Sequence, residues 1–407
     1  MTKKKGKGLF ILSAVLFSSL LLNKTSSAVP FFKKNKEEVK EVQQELINYN
    51  VPDVDYLIQP PTNRASYKEE IDVKAIYMTG NTVGWTKRFE ELIKFVDESE
   101  INALVIDVKD DFGELTYNSD IPMVEEVEAD KSIKVKNFNE VMNILNKKNI
   151  YPIARIVSFK DRTAAGKRQD LAVKSNDGTV WRDNKGDAWL NPYNRESWEY
   201  LISIAEEAAL KGFKEIQFDY VRFPTDGKRS LIDYGKAGED EKMQDAIAGF
   251  LSYARERLEP YGVLVSADVF GLVTTVTDDM GLGQHLETLA TAVDILCPMV
   301  YPSHYALGSY GVPYPDADPY NIVLTSMTKA KERIDNIQTH KKKAVLRPWL
   351  QDFSAPWLKK QYGSHYTPYG PKQIRDQIKA TYDSDLTQWI FWNAGNKYTE
   401  EAFDKVN

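Results

Sequence analysis

Eight short runs rich in Val, Ile and Phe punctuate the chain, at residues 73–78, 103–108, 151–157, 215–219, 263–268, 294–299, 344–349 and 388–392. Between and after them lie longer stretches at 86–97, 137–147, 195–211, 240–258, 283–292, 320–336, 372–382 and 399–406. In these, apolar residues recur at helical spacing, as in Phe89, Leu92, Ile93 and Val96. Strands alternating with amphipathic helices are the pattern of repeated βα units on a parallel sheet. Eight such units over residues 73–407 predict an α/β chain folded as a (β/α)8 barrel. A doubly wound open sheet is the alternative. It would more often show a Gly-rich phosphate turn after its first strand, and Thr79-Gly80-Asn81 is not one.

The N-terminus reads as an export segment. Lys3, Lys4, Lys5 and Lys7 precede an apolar stretch from Leu9 to Leu22, and Ser26-Ser27-Ala28 resembles a small-residue cleavage site. The apolar stretch is shorter than the roughly 20 residues needed to span hydrocarbon. A cleaved signal peptide at 1–28 is therefore expected, with an uncleaved anchor as the alternative and the only route to a membrane. Residues 29–72, charged at first and then Pro-containing at Pro60-Pro61, read as a linker. The expected location is outside the cell or on the cell wall. With Cys297 as the sole cysteine, no intramolecular disulfide can form, and the core must supply the stability. Without residues 1–28 the chain has 48 basic against 59 acidic residues, a formal charge of −11, which argues against nucleic acid or anionic lipid as the main partner. A monomer is expected.

In such a barrel the reactive groups stand where each strand runs into its following loop. Gln217-Phe218-Asp219-Tyr220-Val221-Arg222-Phe223-Pro224 places an acid at the end of a buried strand, where a carboxylate is costly unless paired or functional. Asp219 is the first catalytic candidate; the alternative is a structural ion pair with Arg222. The next strand ends at Asp268, so two acids on adjacent strands lie within reach of one sugar unit, as glycoside hydrolysis requires. Asp268 could instead cap the loop that follows. Asp107 joins the catalytic set, and Asp107 or Lys109 is expected to bond to substrate or to Asp219. Asp110 and Asp111, before Gly113, read as turn residues. Substrate contacts are expected from Lys109, Arg155, Tyr220, Arg222, Tyr301, His304, Trp349, Gln351, Asp352, Trp392 and Asn393.

Aromatic residues add to the pattern. Trp85, Trp181, Trp189, Trp349, Trp357 and Trp392 fall in strand-end regions, and residues 161–194 look like the wall of a sugar cleft. Pyranose rings present apolar C–H faces that pack on aromatic rings, while their hydroxyls need amide, carboxylate and guanidinium partners. The four histidines lack metal-ligand spacing and no Gly-x-Ser-x-Gly elbow occurs, so neither a metal nor a cofactor is expected. Cys297 reads as core.

Several of these stretches together, among them Ile106-Asp107-Val108-Lys109-Asp110-Asp111-Phe112-Gly113, residues 217–224, Ser266-Ala267-Asp268-Val269-Phe270-Gly271, Pro298-Met299-Val300-Tyr301-Pro302-Ser303-His304 and Arg347-Pro348-Trp349-Leu350-Gln351-Asp352, resemble a bacterial family of glycoside-hydrolase-type barrels long catalogued as a domain of unknown function. That family is similar to α-amylase-like barrels, in which an acid ending the fourth strand is commonly the nucleophile. The resemblance gives that role to Asp219. The proton donor of such barrels often follows the fifth strand as Glu, where this chain has Asp268. The expected activity is cleavage of glycosidic bonds in a cell-wall or extracellular polysaccharide or oligosaccharide. Competing classes are a carbohydrate-binding barrel without catalysis and a metal-dependent phosphoesterase.

Overall fold

The computed structural model describes residues 71–405. The expected export segment at 1–28 and nearly all of the linker lie outside them. The barrel strands are β1 (Lys74–Met78), β2 (Ala103–Lys109), β3 (Tyr151–Val157), β4 (Glu215–Asp219), β5 (Leu264–Phe270), β6 (Ile295–Met299), β7 in two pieces (Val345–Leu346 and Trp349–Gln351) and β8 (Trp389–Trp392). All neighbouring pairs are parallel, and closure runs through β8 beside β1, where Lys74 stands opposite Trp389. The seven principal helices are α1 (Thr86–Asp97), α2 (Phe138–Lys147), α3 (Arg195–Lys211), α4 (Met243–Leu258), α5 (Leu286–Leu289), α6 (Pro319–Asp335) and α7 (Pro371–Asp383). The chain is therefore a (β/α)8 barrel.

The helices form because each presents one apolar stripe to the sheet. In α1, Phe89, Leu92, Ile93 and Val96 are all buried. Helix α3 starts at Asn194, whose side chain accepts the Glu196 N–H, and stops at Gly212, whose φ of 108° takes the left-handed turn that an L side chain resists.

Three elements differ from the expected ones. The seventh strand is interrupted because Pro348 has no N–H for the ladder, although its carbonyl still accepts from Ile390. The stretch 283–292 is helical only from Leu286 to Leu289, because Gly283 (φ 79°) and the inward-turned Gln284 delay its start. At 399–406 only a 3₁₀ turn at Glu400–Ala402 forms, and the chain then seats Phe403 against Phe95, Trp389 and Phe391.

Alternation along the strands divides the core into two compartments. Ile76, Leu104, Ile106, Ala154, Ile216, Phe218, Val265, Leu296 and Phe391 pack outward against the helices. Ala75, Tyr77, Ala103, Val105, Ile153, Leu264, Cys297, Trp349 and Ile390 fill the barrel. At its lower end Glu215 and Arg347, both almost fully buried, form a two-bond pair at 2.8 and 2.9 Å, and Arg347 Nε also donates to Gln388.

Breaking that pair from one side leaves a charge with no partner in a dry interior. Arg347→Leu is expected to lower unfolding free energy by about 3–5 kcal/mol, and Glu215→Gln added to it to restore much of the loss. Urea denaturation followed by circular dichroism measures both; equal stability of single and double variants would show that the pair is not the reason.

Candidate active site

The inward positions at the upper end of the barrel are polar, and one guanidinium organises them. Arg155 on β3 is 2% exposed. Its Nη1 donates to Asp107 Oδ1 at 2.7 Å, its Nε and Nη2 donate to Asp219 Oδ2 at 2.9 and 2.5 Å, and Nη2 also reaches Asp111 Oδ1 at 3.1 Å. Only a planar fork of fixed donors can serve three carboxylates at once. Its central carbon lies 5.5 and 5.4 Å from the ring centres of Tyr77 and Trp392, which stack on each other at 4.1 Å. Tyr77 completes the group by donating its hydroxyl to Asp107 Oδ2 at 2.5 Å. Burial pushes the Asp107 carboxyl up to about 6, against the pull of the Arg155 cation and the Tyr77 hydroxyl.

Asp219 ends β4, and both of its oxygens accept hydrogen bonds. Oδ2 takes the two from Arg155, and Oδ1 takes the backbone N–H of Tyr220 at 2.6 Å. Tyr220 has φ 47°, a left-handed conformation that is strained for a bulky residue. The turn folds its N–H back onto the carboxylate it follows.

Asp268 on β5 has a different environment. The register that sets Gln217 opposite Ser266 and Phe218 opposite Ala267 brings Asp219 and Asp268 to the same level of adjacent strands, about 4.8 Å apart in backbone spacing. Asp268 Oδ1 accepts the indole N–H of Trp349 at 2.6 Å, while Oδ2 is buried and has no partner among the described residues. Burial, and then the negative charge of Asp219, push this carboxyl well above the usual range, which favours its protonated form. Gln284 fixes the backbone here, accepting the Phe270 N–H and donating to the carbonyl of Asp268.

The structure brings Asp107, Arg155, Asp219, Asp268, Trp349 and Trp392 to one spot and takes others elsewhere. Lys109 shares the parity of Asp107, but the register shifts between them, and its fully buried ammonium turns outward to Asp161 at 2.8 Å and to the carbonyl of Val157. Arg222 is not the partner of Asp219; it donates to Phe223 O and Thr225 Oγ1 and packs on Trp189, Tyr220 and Phe270. Asp268 caps nothing. Gln351 is fully buried, linking Ser303 to Asp316, while Asp352 accepts from Thr399 and Asn393 donates to Asp352 O and Lys397 O. These three side chains tie the loops to one another. Tyr301 is buried at the mouth and His304 is exposed beside it.

The aromatic side chains expected to wall a cleft at 161–194 face inward instead: Trp181, Trp189 and Tyr193 are buried, and Asp183 is held by the Trp189 indole. Three residues outside the expected set belong to the site: Tyr77, Asp111 and Gln284. Tyr77 and Gln284 carry only the signal of inward parity or burial. Asp111 was grouped with Asp110 as a turn residue; Asp110 does bond Phe112 N and Glu114 N, but Asp111 leaves the turn for Arg155. Among the described residues, no group of three His, Cys, Asp or Glu side chains is arranged to hold a metal ion.

The site thus stands at the upper strand ends of a parallel eight-stranded barrel, and comparison with known proteins places the chain in a family. The sequence profile described as "Putative glycosyl hydrolase domain" matches residues 75–398, and the chain belongs to that family. A solved structure of a hypothetical protein from Ruminiclostridium thermocellum ATCC 27405 is 43% identical over 51% of this chain and 98% of its own, with a TM-score of 0.44. The PgaB (BpsB) glycoside hydrolase domain from Bordetella bronchiseptica superposes with a TM-score of 0.57 at 13% identity, over 82% of this chain and 98% of that one. The C-terminal domain of a "putative chitinase" from Desulfitobacterium hafniense DCB-2 gives 0.50 at 12% identity, over 82% and 97%. These two share the fold. No curated protein matches the chain significantly.

The raised Asp107 carboxyl has a consequence for stability. Because the folded chain holds this proton more tightly than the unfolded one, the associated stability is complete below about pH 4 and is lost as pH rises through about 6, amounting to about 3 kcal/mol. Carboxyl ¹³C NMR should show Asp107 titrating near pH 6, and Asp107→Asn should flatten the fall of unfolding free energy over that window. A titration near 4 would remove this assignment.

Proposed function

We propose that the barrel hydrolyses glycosidic bonds of an uncharged cell-wall or extracellular polysaccharide, with Asp219 as nucleophile and Asp268 as proton donor. The observation that carries this reading is the unequal environment of two neighbouring carboxyls. Asp219 is surrounded by N–H donors that stabilise negative charge, whereas Asp268 is buried with one oxygen bound to Trp349 and the other free to carry a proton. Acid and base assignments follow from such divergence.

In the first step the Asp268 proton passes to the glycosidic oxygen as the C–O bond breaks, and an Asp219 oxygen bonds to the anomeric carbon. In the second step Asp268, now a carboxylate, takes a proton from water, whose oxygen displaces Asp219. Strand-level adjacency leaves little room for a water between the two acids. It favours the roughly 5 Å separation of retaining enzymes over the roughly 6.5–9.5 Å of inverting ones. Asp268 is 1% exposed, so the sugar reaches it when side chains at the mouth move aside. The acidic balance of the chain disfavours polyanionic polymers, and the Lys-rich, apolar 1–28 segment supports work outside the cell.

Three outcomes test the reading. Asp219→Asn should abolish release of reducing ends from wall polymers while its circular dichroism stays unchanged. Asp268→Asn should lower kcat by about 10²–10⁴-fold on natural linkages, and far less on aryl glycosides whose leaving group needs no proton. NMR of the first-formed product should show the anomeric configuration of the substrate. Unaltered turnover in Asp219→Asn would end the proposal.

A further inference from the structure

The loops after β6 and β7 hold aromatic side chains that the carboxylate chemistry leaves unused. Tyr301 follows β6 at the barrel mouth, its ring 5.5 Å from His304 and 6.0 Å from Phe353. His304 lies 6.4 Å from Phe353, and Phe353 lies 6.4 Å from Trp357 with ring planes only 29° apart. Exposure rises outward along the run: Tyr301 is 8% exposed, Phe353 is half-buried and Trp357 is 40% exposed.

The run is continuous with the acids, since Tyr301, Phe353 and Trp392 pack on the same interior cluster as Trp349, whose indole binds Asp268. It is also held rigidly. Leu358, immediately after Trp357, is buried with Ala355 and Tyr362, and Gln351 ties the loop after β7 to Ser303 and Asp316 of the loop after β6. A large indole kept in solvent on a fixed support is a feature that a ring-shaped apolar partner would explain.

We infer that Phe353 and Trp357, whose ring planes lie 29° apart, form a track of sugar subsites that leads away from the buried Tyr301 and from Asp268 and stacks successive pyranose rings of an uncharged, equatorially linked polysaccharide. This deepens the proposed function and rests on it. Rings whose hydroxyls and linkages are all equatorial carry axial C–H groups on both faces, which suits flat aromatic platforms. No cationic side chain belongs to the run, so nothing in it selects an anionic polymer.

The test uses calorimetric binding to the full chain carrying Asp219→Asn, so that ligand is not consumed. Probes are the disaccharide and hexasaccharide of β-1,4-linked glucose and of β-1,4-linked N-acetylglucosamine. The expected result is tighter binding of at least one hexasaccharide than of its disaccharide, with Trp357→Ala reducing that advantage about tenfold and Trp357→Phe retaining most of it. An unchanged ratio in Trp357→Ala, or no hexasaccharide binding, overturns the track. The two proposals fail separately: binding lost with Trp357 but no hydrolysis of any glycoside leaves the track and removes the enzyme, whereas hydrolysis with an unchanged ratio does the reverse.

Discussion

The upper end of this barrel depends on the burial of one guanidinium. Three carboxylates cannot be gathered in a nearly dry space without a cation to hold them, because each would repel the others and lose its hydration. Arg155 provides that cation from β3, between β2, which bears Asp107, and β4, which bears Asp219. Its planarity lets it face the two acids in its own plane, while its central carbon stands 5.5 and 5.4 Å from the ring centres of the Tyr77 and Trp392 stack. The contact thus fixes strand ends on both sides of β3 and reaches β1 and β8 through the aromatic pair.

That single cation also explains why the neighbouring acids differ. Arg155 donates directly to Asp107 and Asp219, but Asp268 lies one strand further round and receives only a neutral indole N–H. With Asp219 beside it, Asp268 meets a negative charge and, among the described residues, no donated hydrogen on Oδ2. The asymmetry is therefore a product of strand order. Below this level Glu215 is matched by Arg347, and Gln217 donates to Cys297 while its own Oε1 finds no partner among the described residues.

The period-two alternation of the strands makes much of this legible in the sequence. Asp107, Arg155, Asp219 and Asp268 occupy strand ends of inward parity, so their convergence follows once eight strands are counted and closed into a barrel. What alternation cannot show is where it breaks. The register shift after Asp107 sends Lys109 to the helix layer, and Pro348 splits the seventh strand. The register shift is not visible as a local pattern, because it depends on which neighbour accepts the hydrogen bond; the break at Pro348 follows from its missing N–H. The loops were less legible still. Trp181 and Trp189 are hidden, while Trp357 is exposed, and composition cannot distinguish them, since burial there depends on contacts distant in sequence. Asp110 and Asp111 stand side by side, yet one closes a turn and the other reaches Arg155.

The residues expected to touch substrate but found inside loops point to how the mouth works. Gln351, Asp352 and Asn393 spend their side chains on Ser303, Asp316, Thr399 and the carbonyl of Asp352, so the loops after β6, β7 and β8 are joined by bonds that do not depend on a ligand. Asn396 and Tyr398 extend the frame by donating to the carbonyl of Tyr77. A frame of this kind removes conformational freedom before binding, so aromatic faces mounted on it lose less entropy when a sugar arrives. The side chains of Gln351, Asp352 and Asn393 are thus bonded within the frame before any ligand is present, and the rings of Phe353 and Trp357 stand on a support whose geometry the protein itself fixes.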